Sequence, residues 1–161
     1  GDNIWLEDRN GVRTPMQWSG AANAGFSTGE TEELYAPVID DETYSYRHVN
    51  VEAQQDDPGS LLNWMRKAIR ARKAQKALGQ GVVQFLEPEN RTVLAYLRSS
   101  GEETILAVNN LSAEPQSVEL DLAEFAGRVP VDVLSGERLA GVTENSYKIA
   151  LDRYGYRWLE L

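Results

Sequence analysis

The stretch Thr92–Asn110, TVLAYLRSSGEETILAVNN, decides the fold class. It reads with a period of two through TVLAYLR, breaks at Gly101 in the turn chemistry of SSGE, and resumes through ETILAVNN. That is the pattern of two antiparallel strands joined by a tight hairpin. Similar short runs rich in Val, Leu, Ile and Tyr lie on both sides: VVQF before it, and QSVELDL, VPVDVL, YKIALD and YGYRWLEL after it. SAEP, AGRVP and LSGE separate the later ones. Short strands at such regular spacing predict an antiparallel sandwich or barrel, here over residues 80–161.

Upstream the period changes. DPGSLLNWMRKAIRARKAQKALG, residues 57–79, reads as a helix over 58–78. Asp57 is placed as N-cap, Pro58 sits at the first helical position, and Gly79 closes the far end. Leu61, Leu62, Met65, Ala68, Ile69 and Arg72 follow the spacing of one buried face. Arg66, Arg70 and Lys73 share another face, which reads as a solvated surface, and cations near the C-terminus suit the helix dipole. A helix this long needs a large apolar surface opposite it.

Residues 1–57 show no sustained period and read as irregular, too long for a structureless loop inside a self-sufficient domain. Their aromatics, Trp5, Trp18, Phe26, Tyr35, Tyr44 and Tyr46, argue against disorder, which is poor in such residues. They read as loop shaped to pack on a partner surface. Charge follows the same division. Residues 1–57 hold 3 basic and 12 acidic groups, 58–78 hold 6 basic and none acidic, and 79–161 hold 7 basic and 13 acidic. A nucleic-acid binder presents a net basic domain, so no nucleic acid is expected as partner. No secretory leader and no apolar span of about 20 residues is legible, so no membrane partner is expected either. Without cysteine, disulfides, thiolate metal sites and a cysteine nucleophile are all excluded, and a cytoplasmic protein is the simplest reading.

Few residues carry recognisable chemistry. His48, the only histidine, has no second histidine or cysteine with which to form a metal site and reads as structural. Asp40-Asp41-Glu42 and Asp56-Asp57 lack the alternating ligands and glycine of a calcium loop and read as solvated charge. No glycine-rich phosphate loop and no G-x-S-x-G is present, and no carboxylate pair sits at the end of a recognisable buried strand. No metal and no cofactor is expected. One stretch differs. GVRTPMQW, Gly11–Trp18, packs Arg13, Gln17 and Trp18 around a helix-forbidding Pro15. Rigid polar and aromatic groups on irregular backbone either hold a loop down or contact a ligand.

GDNIWLEDRNGVRTPMQW, NAGFS, YRHVNVEAQ and DPGSLLNWMRKAIRARK together closely resemble the α-amylase superfamily, glycoside hydrolase family 13, and within it the trehalose synthases. The resemblance spans residues 1 to about 78 and continues more loosely through AVNNLS and YGYRWLEL. Oligo-1,6-glucosidases and sucrose isomerases share the shorter RTPMQW and NAGF elements, so the equivalent fragment of such an enzyme is an alternative implied by the same resemblance. What this implies is an α+β fragment. Residues 1–79 are the end of a (β/α)8 catalytic barrel, namely the loop after the last strand and the last barrel helix at 58–78. Residues 80–161 are a C-terminal β-sandwich of the α-amylase type. The family's aspartate nucleophile, glutamate acid/base and transition-state aspartate lie after earlier strands, so no catalytic residue is assigned here and the chain alone is expected to be inactive.

For the intact enzyme the resemblance implies isomerisation of maltose to trehalose by retaining glucosyl transfer, with the missing N-terminal barrel as the chain's main partner. Arg13, and more weakly Gln17, are the substrate-binding candidates; the alternative is that Arg13 only pins its own loop. Two other readings remain open. One is a carbohydrate-binding sandwich using Tyr156 and Trp158, which alternate on one strand face but fit the core better. The other is a structural domain that covers a barrel face or mediates contacts in a homo-oligomer.

Overall fold

The computed structural model describes residues 13–161, in two compact units, one ending at Arg66 and the other spanning Lys67–Leu161. The GDNI stretch and Trp5 lie outside the described residues.

Among its described residues the first unit is irregular backbone with two short 3-10 turns, Ala22–Gly25 and Thr31–Glu33, and one short α-helix, α1 (Val51–Asp56). Asn50 caps α1, its Oδ1 accepting from the Ala53 N–H at 2.8 Å. The longest helix, α2 (Leu61–Ala74), begins here and runs past Arg66. It starts three residues later than the Asp57–Pro58 pair predicts, because the Asp57 carboxylate accepts from the Gly59 N–H, forming a turn. Ser60 takes over as cap: its Oγ accepts from the Asn63 N–H and donates to the Gln54 carbonyl. Asn63 Nδ2 donates to the carbonyls of Gln54, Gln55 and Asp57.

The exposed stripe of α2 also differs from expectation. Leu61, Met65 and Ile69 are 69%, 45% and 46% exposed, and Arg72 is exposed. The covered stripe is Ala68, buried, with Trp64, Ala71 and Gln75 half-buried. Of the face that periodicity marks as buried, Ala68 is buried and Leu62 half-buried, while Leu61, Met65, Ile69 and Arg72 are exposed in this chain.

In the second unit α2 stops at Ala74, and α3 (Lys76–Gln80) follows. The break has tertiary causes. Gln75 Nε2 reaches Glu160, and the Glu103 carboxylate accepts from the Ala77 N–H at 2.6 Å, satisfying a donor at the start of α3. Seven strands come next: β1 (Val82–Leu86), β2 (Val93–Ser100), β3 (Glu103–Asn110), β4 (Gln116–Leu120), β5 (Val131–Asp132), β6 (Tyr147–Leu151) and β7 (Tyr156–Glu160). They form a five-stranded sheet in the order β1-β2-β3-β7-β5 and a two-stranded sheet β4-β6, every pairing antiparallel.

The β2–β3 hairpin turns on Gly101, at φ +63°, where residues with a side chain are disfavoured. VPVDVL shrinks to the two residues of β5. Pro130 has no N–H to give the ladder, and the buried Asp132 carboxylate turns the chain by accepting from the N–H groups of Leu134 and Ser135.

The core lies between the sheets. Val93, Ala95 and Leu97 of β2, Leu106 and Val108 of β3 and Leu159 of β7 share one apolar cluster with Val118 and Leu120 of β4 and Tyr147, Ile149 and Leu151 of β6. Leu122, Phe125 and Val142 complete it. Tyr156 and Trp158, expected in this core, are not members. Strand alternation gives the core to Leu159 and turns Tyr156 and Trp158 to the opposite face, with Tyr156 39% exposed.

Buried Asn110 closes one end of the second unit. Its Nδ2 donates to the carbonyls of Glu114 (2.7 Å) and Asp152 (2.8 Å), and its Oδ1 accepts from the N–H and hydroxyl of Ser112. The Asn110 N–H donates to Gly155 and the Tyr154 N–H to Ser112, so one side chain joins the end of β3 to the β6–β7 turn.

Candidate functional site

Residues Arg13–Trp18 carry no helix or strand, and the Gln17 and Trp18 carbonyls accept from the N–H groups of Val51 and Glu52. On the other side the N–H groups of Trp18 and Ser19 both donate to the Ala24 carbonyl, at 2.8 and 3.0 Å. The chain reaches that geometry through three successive left-handed residues: Asn23, Ala24 and Gly25, at φ 54°, 58° and 67°. Asparagine tolerates this region, and alanine in it stores strain of roughly 1–3 kcal/mol. At Gly25 a Cβ would run into the Ser19 hydroxyl, and the left-handed φ itself disfavours a side chain, so the position favours glycine.

Asn23 supports the turn from within. Its Nδ2 donates to the Gly29 carbonyl at 2.7 Å, and its Oδ1 accepts from the Thr31 hydroxyl. Farther on, Arg47 forms a two-pronged pair with Asp40 and lies over the Tyr46 ring at 4.9 Å. The Arg47 hydrogen bond, helped by the Ser45 hydroxyl, holds the Asp40 carboxyl below its ordinary value. Asp41 accepts from the N–H groups of Thr43 and Tyr44. Asp40 and Asp41 are exposed, as solvated charge, and also fold the loop through these hydrogen bonds; His48 is exposed too.

The two sequence-predicted site residues differ in surroundings. Gln17 is half-buried, and its Nε2 donates to the backbone carbonyls of Tyr44 (3.0 Å) and Val49 (2.6 Å). Both amide hydrogens are taken by the loop. Arg13 is exposed, and among the described residues no hydrogen bond or ion pair holds its guanidinium. It lines a cleft of about 210 Å³ with Thr14, Pro15, Phe26, Leu34, Tyr35 and Ala36. A cationic donor fork at the edge of an apolar and aromatic cleft can hold a polyhydroxylated ring or a carboxylate. Sequence reasoning missed Asn23 and Asn50 as organisers of this loop. The signal was asparagine inside NAG and at the start of the VEAQ helix.

A direct expectation follows for Gln17. Gln17→Ala should speed hydrogen exchange at the Val51 and Glu52 amides about 30-fold, since losing two hydrogen bonds of about 1 kcal/mol each loosens the segment they tie down. Exchange at Ala107 in β3 should not change.

Two family profiles match the chain in succession: "Alpha amylase, catalytic domain" over residues 3–81 and "Maltogenic Amylase, C-terminal domain" over residues 83–158. A trehalose synthase of Pimelobacter sp. (strain R48) is 46% identical over all of this chain and 29% of its own length. A probable oligo-1,6-glucosidase of Bacillus subtilis is 35% identical over 70% of the chain and 19% of its own length. Among solved structures, the trehalulose synthase MutB of Pseudomonas mesoacidophila MX-45 superposes with a TM-score of 0.72 and 29% identity, over 95% of this chain and 26% of that one. The chain thus spans less than a third of the length of these relatives.

Proposed function

Since this chain belongs to the α-amylase superfamily, carrying a catalytic-domain segment followed by a maltogenic-amylase-type C-terminal domain, we propose that it is the C-terminal part of a trehalose synthase. The observation that carries this reading is coverage. The trehalose synthase match runs over the whole chain, whereas the oligo-1,6-glucosidase match covers 70% of it. In this proposal residues 1–79 complete a catalytic barrel and residues 80–161 form the sandwich domain, a division supported by the change of family profile between residues 81 and 83. The exposed stripe Leu61–Met65–Ile69 faces the rest of the barrel.

The intact enzyme isomerises maltose by retaining double displacement. A carboxylate outside these residues takes the glucosyl unit, and the released glucose re-attacks through its anomeric hydroxyl. A closed site keeps water from intercepting the glucosyl intermediate. In this scheme Arg13 is the chain's contact with sugar hydroxyls or with a closing carboxylate. Gln17 acts from behind, positioning the segment that presents Arg13.

A chimera tests the proposal. The isolated chain, mixed with maltose in stoichiometric amount, should give neither trehalose nor glucose. Joined to the N-terminal remainder of the Pimelobacter enzyme in place of the matching 165 positions, it should restore conversion of maltose to trehalose. A folded chimera that only hydrolyses maltose would favour the glucosidase reading, and turnover by the isolated chain would contradict the proposal outright.

A further inference from the structure

We propose that Asn23 is the positioning residue of the Arg13 cleft, holding three separate stretches of chain in place around one left-handed turn. The cleft is lined by Arg13, Thr14 and Pro15 from the first stretch, Phe26 from the second, and Leu34, Tyr35 and Ala36 from the third. Among the described residues no hydrogen bond runs directly from one set of lining residues to another. Their relative placement therefore passes through the turn behind them.

All three stretches converge on Asn23 and the residue after it. The Ala24 carbonyl accepts from the Trp18 and Ser19 N–H groups and so anchors the segment that carries Arg13. The Asn23 carbonyl accepts from the Phe26 N–H at 2.9 Å, which places the second wall. The Asn23 side chain reaches the third. Its Oδ1 accepts from the Thr31 hydroxyl at 2.7 Å, and the Thr31 carbonyl in turn accepts from the Leu34 N–H.

The position makes two demands that asparagine meets together. Its backbone stands at φ 54° and ψ 29°, the left-handed region that asparagine enters more readily than most residues with a side chain. Its side chain is only 4% exposed, so donor and acceptor must both be satisfied inside the loop. They are: Nδ2 donates to the Gly29 carbonyl at 2.7 Å and, at the longer distance of 3.4 Å, toward the Ser27 carbonyl. Glycine would meet the first demand alone, and aspartate, lacking the amide donor, would set a carboxylate against the Gly29 carbonyl. Each bond lies within residues 18–34, so the inference does not depend on what covers the cleft in an intact enzyme. Its bearing on sugar rests on the reading of Arg13 given above. A bidentate fork tolerates little displacement, since a shift of about 1 Å can cost up to about 100-fold in rate.

Two measurements test the two parts separately. In the 161-residue chain, Asn23→Gly, which keeps the left-handed backbone, should speed hydrogen exchange at the Leu34 amide at least about tenfold and leave that of Ala107 in β3 unchanged. In the active chimera the same variant should lower kcat/KM for maltose about tenfold. Combined with Arg13→Lys it should fall no more than about twofold below Arg13→Lys alone, because both changes act through one contact. Thr31→Val removes only the hydroxyl that meets Asn23 and should lose part of the activity, whereas Thr31→Ser keeps that hydroxyl and should match the parent. Parent exchange at Leu34 in Asn23→Gly overturns the proposal, as does a double variant whose losses multiply, or a Thr31→Ser variant as impaired as Thr31→Val. A silent Arg13→Lys beside faster exchange at Leu34 removes the sugar-site reading and upholds Asn23 as the joint of the cleft. If Asn23→Gly loses the parent's circular dichroism, Thr31→Val, altered at an exposed residue, carries the exchange measurement.

Discussion

Asn110→Ala should lower the midpoint of thermal unfolding of the second unit by about 15 °C. The side chain makes four hydrogen bonds while only 3% exposed. Removing it leaves the Glu114 and Asp152 carbonyls and the Ser112 N–H without these partners. Each such loss costs about 1 kcal/mol or more, for a total near 3 kcal/mol, and one kcal/mol moves the midpoint of a domain this size by about 4–8 °C. The neighbouring Asn109 supplies the control. Its one amide contact, to the Leu94 carbonyl, is long at 3.5 Å, so Asn109→Ala should shift the midpoint by no more than a few degrees. Circular dichroism followed through heating measures both, and equal shifts would show that the polar knot around Asn110 does not hold the end of the second unit.

The same pair shows what the sequence made legible. Alternation through TVLAYLR and ETILAVNN predicted the hairpin, and all seven short runs are strands, because burial on one face of a sheet writes itself into every second residue. Nothing local separates Asn109 from Asn110. The difference arises where β3 meets the loop at 112–114 and the β6–β7 turn, a long-range event. The helix illustrates another limit. Its apolar residues were visible, but which of them are covered depends on neighbours, and Leu61, Met65 and Ile69 have no described cover. Tyr156 and Trp158 failed for a related reason. Strand period placed them on one face, yet it does not say which face points to the second sheet.

The loop preceding α1 was legible only as a resemblance. GVRTPMQW and NAGFS have no period to read, and their geometry depends on three left-handed residues and on side-chain amides that bond to backbone. Asparagine and glycine were the local signs of such backbone, but the partners are 4 to 32 residues away along the chain. Gln17 shows the consequence. As a sequence letter it looked like a ligand donor, whereas in the fold its amide hydrogens hold the loop.

Arg13→Lys, built into the full-length enzyme or the active chimera, should reduce kcat/KM for maltose by about 10- to 100-fold while leaving the unfolding midpoint within a few degrees of the parent. Lysine keeps the positive charge but loses the planar two-pronged donor, and a charge-assisted bidentate contact is worth roughly 1.5–3 kcal/mol. The small stability effect follows from the loop itself. No described partner holds the Arg13 guanidinium, and Pro15, buried, and the Gln17 amide already fix the segment. The kinetic split then identifies the contact. A fall in kcat with KM unchanged means that the fork engages the sugar in the transition state, whereas a rise in KM alone means ground-state binding. A third signature is more free glucose per trehalose, which follows if Arg13 closes the site through a carboxylate and lysine lets water in. Parent values of kcat, KM and glucose release, measured together with an unchanged melting curve, would remove Arg13 from the sugar site and leave the cleft beside Phe26 and Tyr35 without its polar contact.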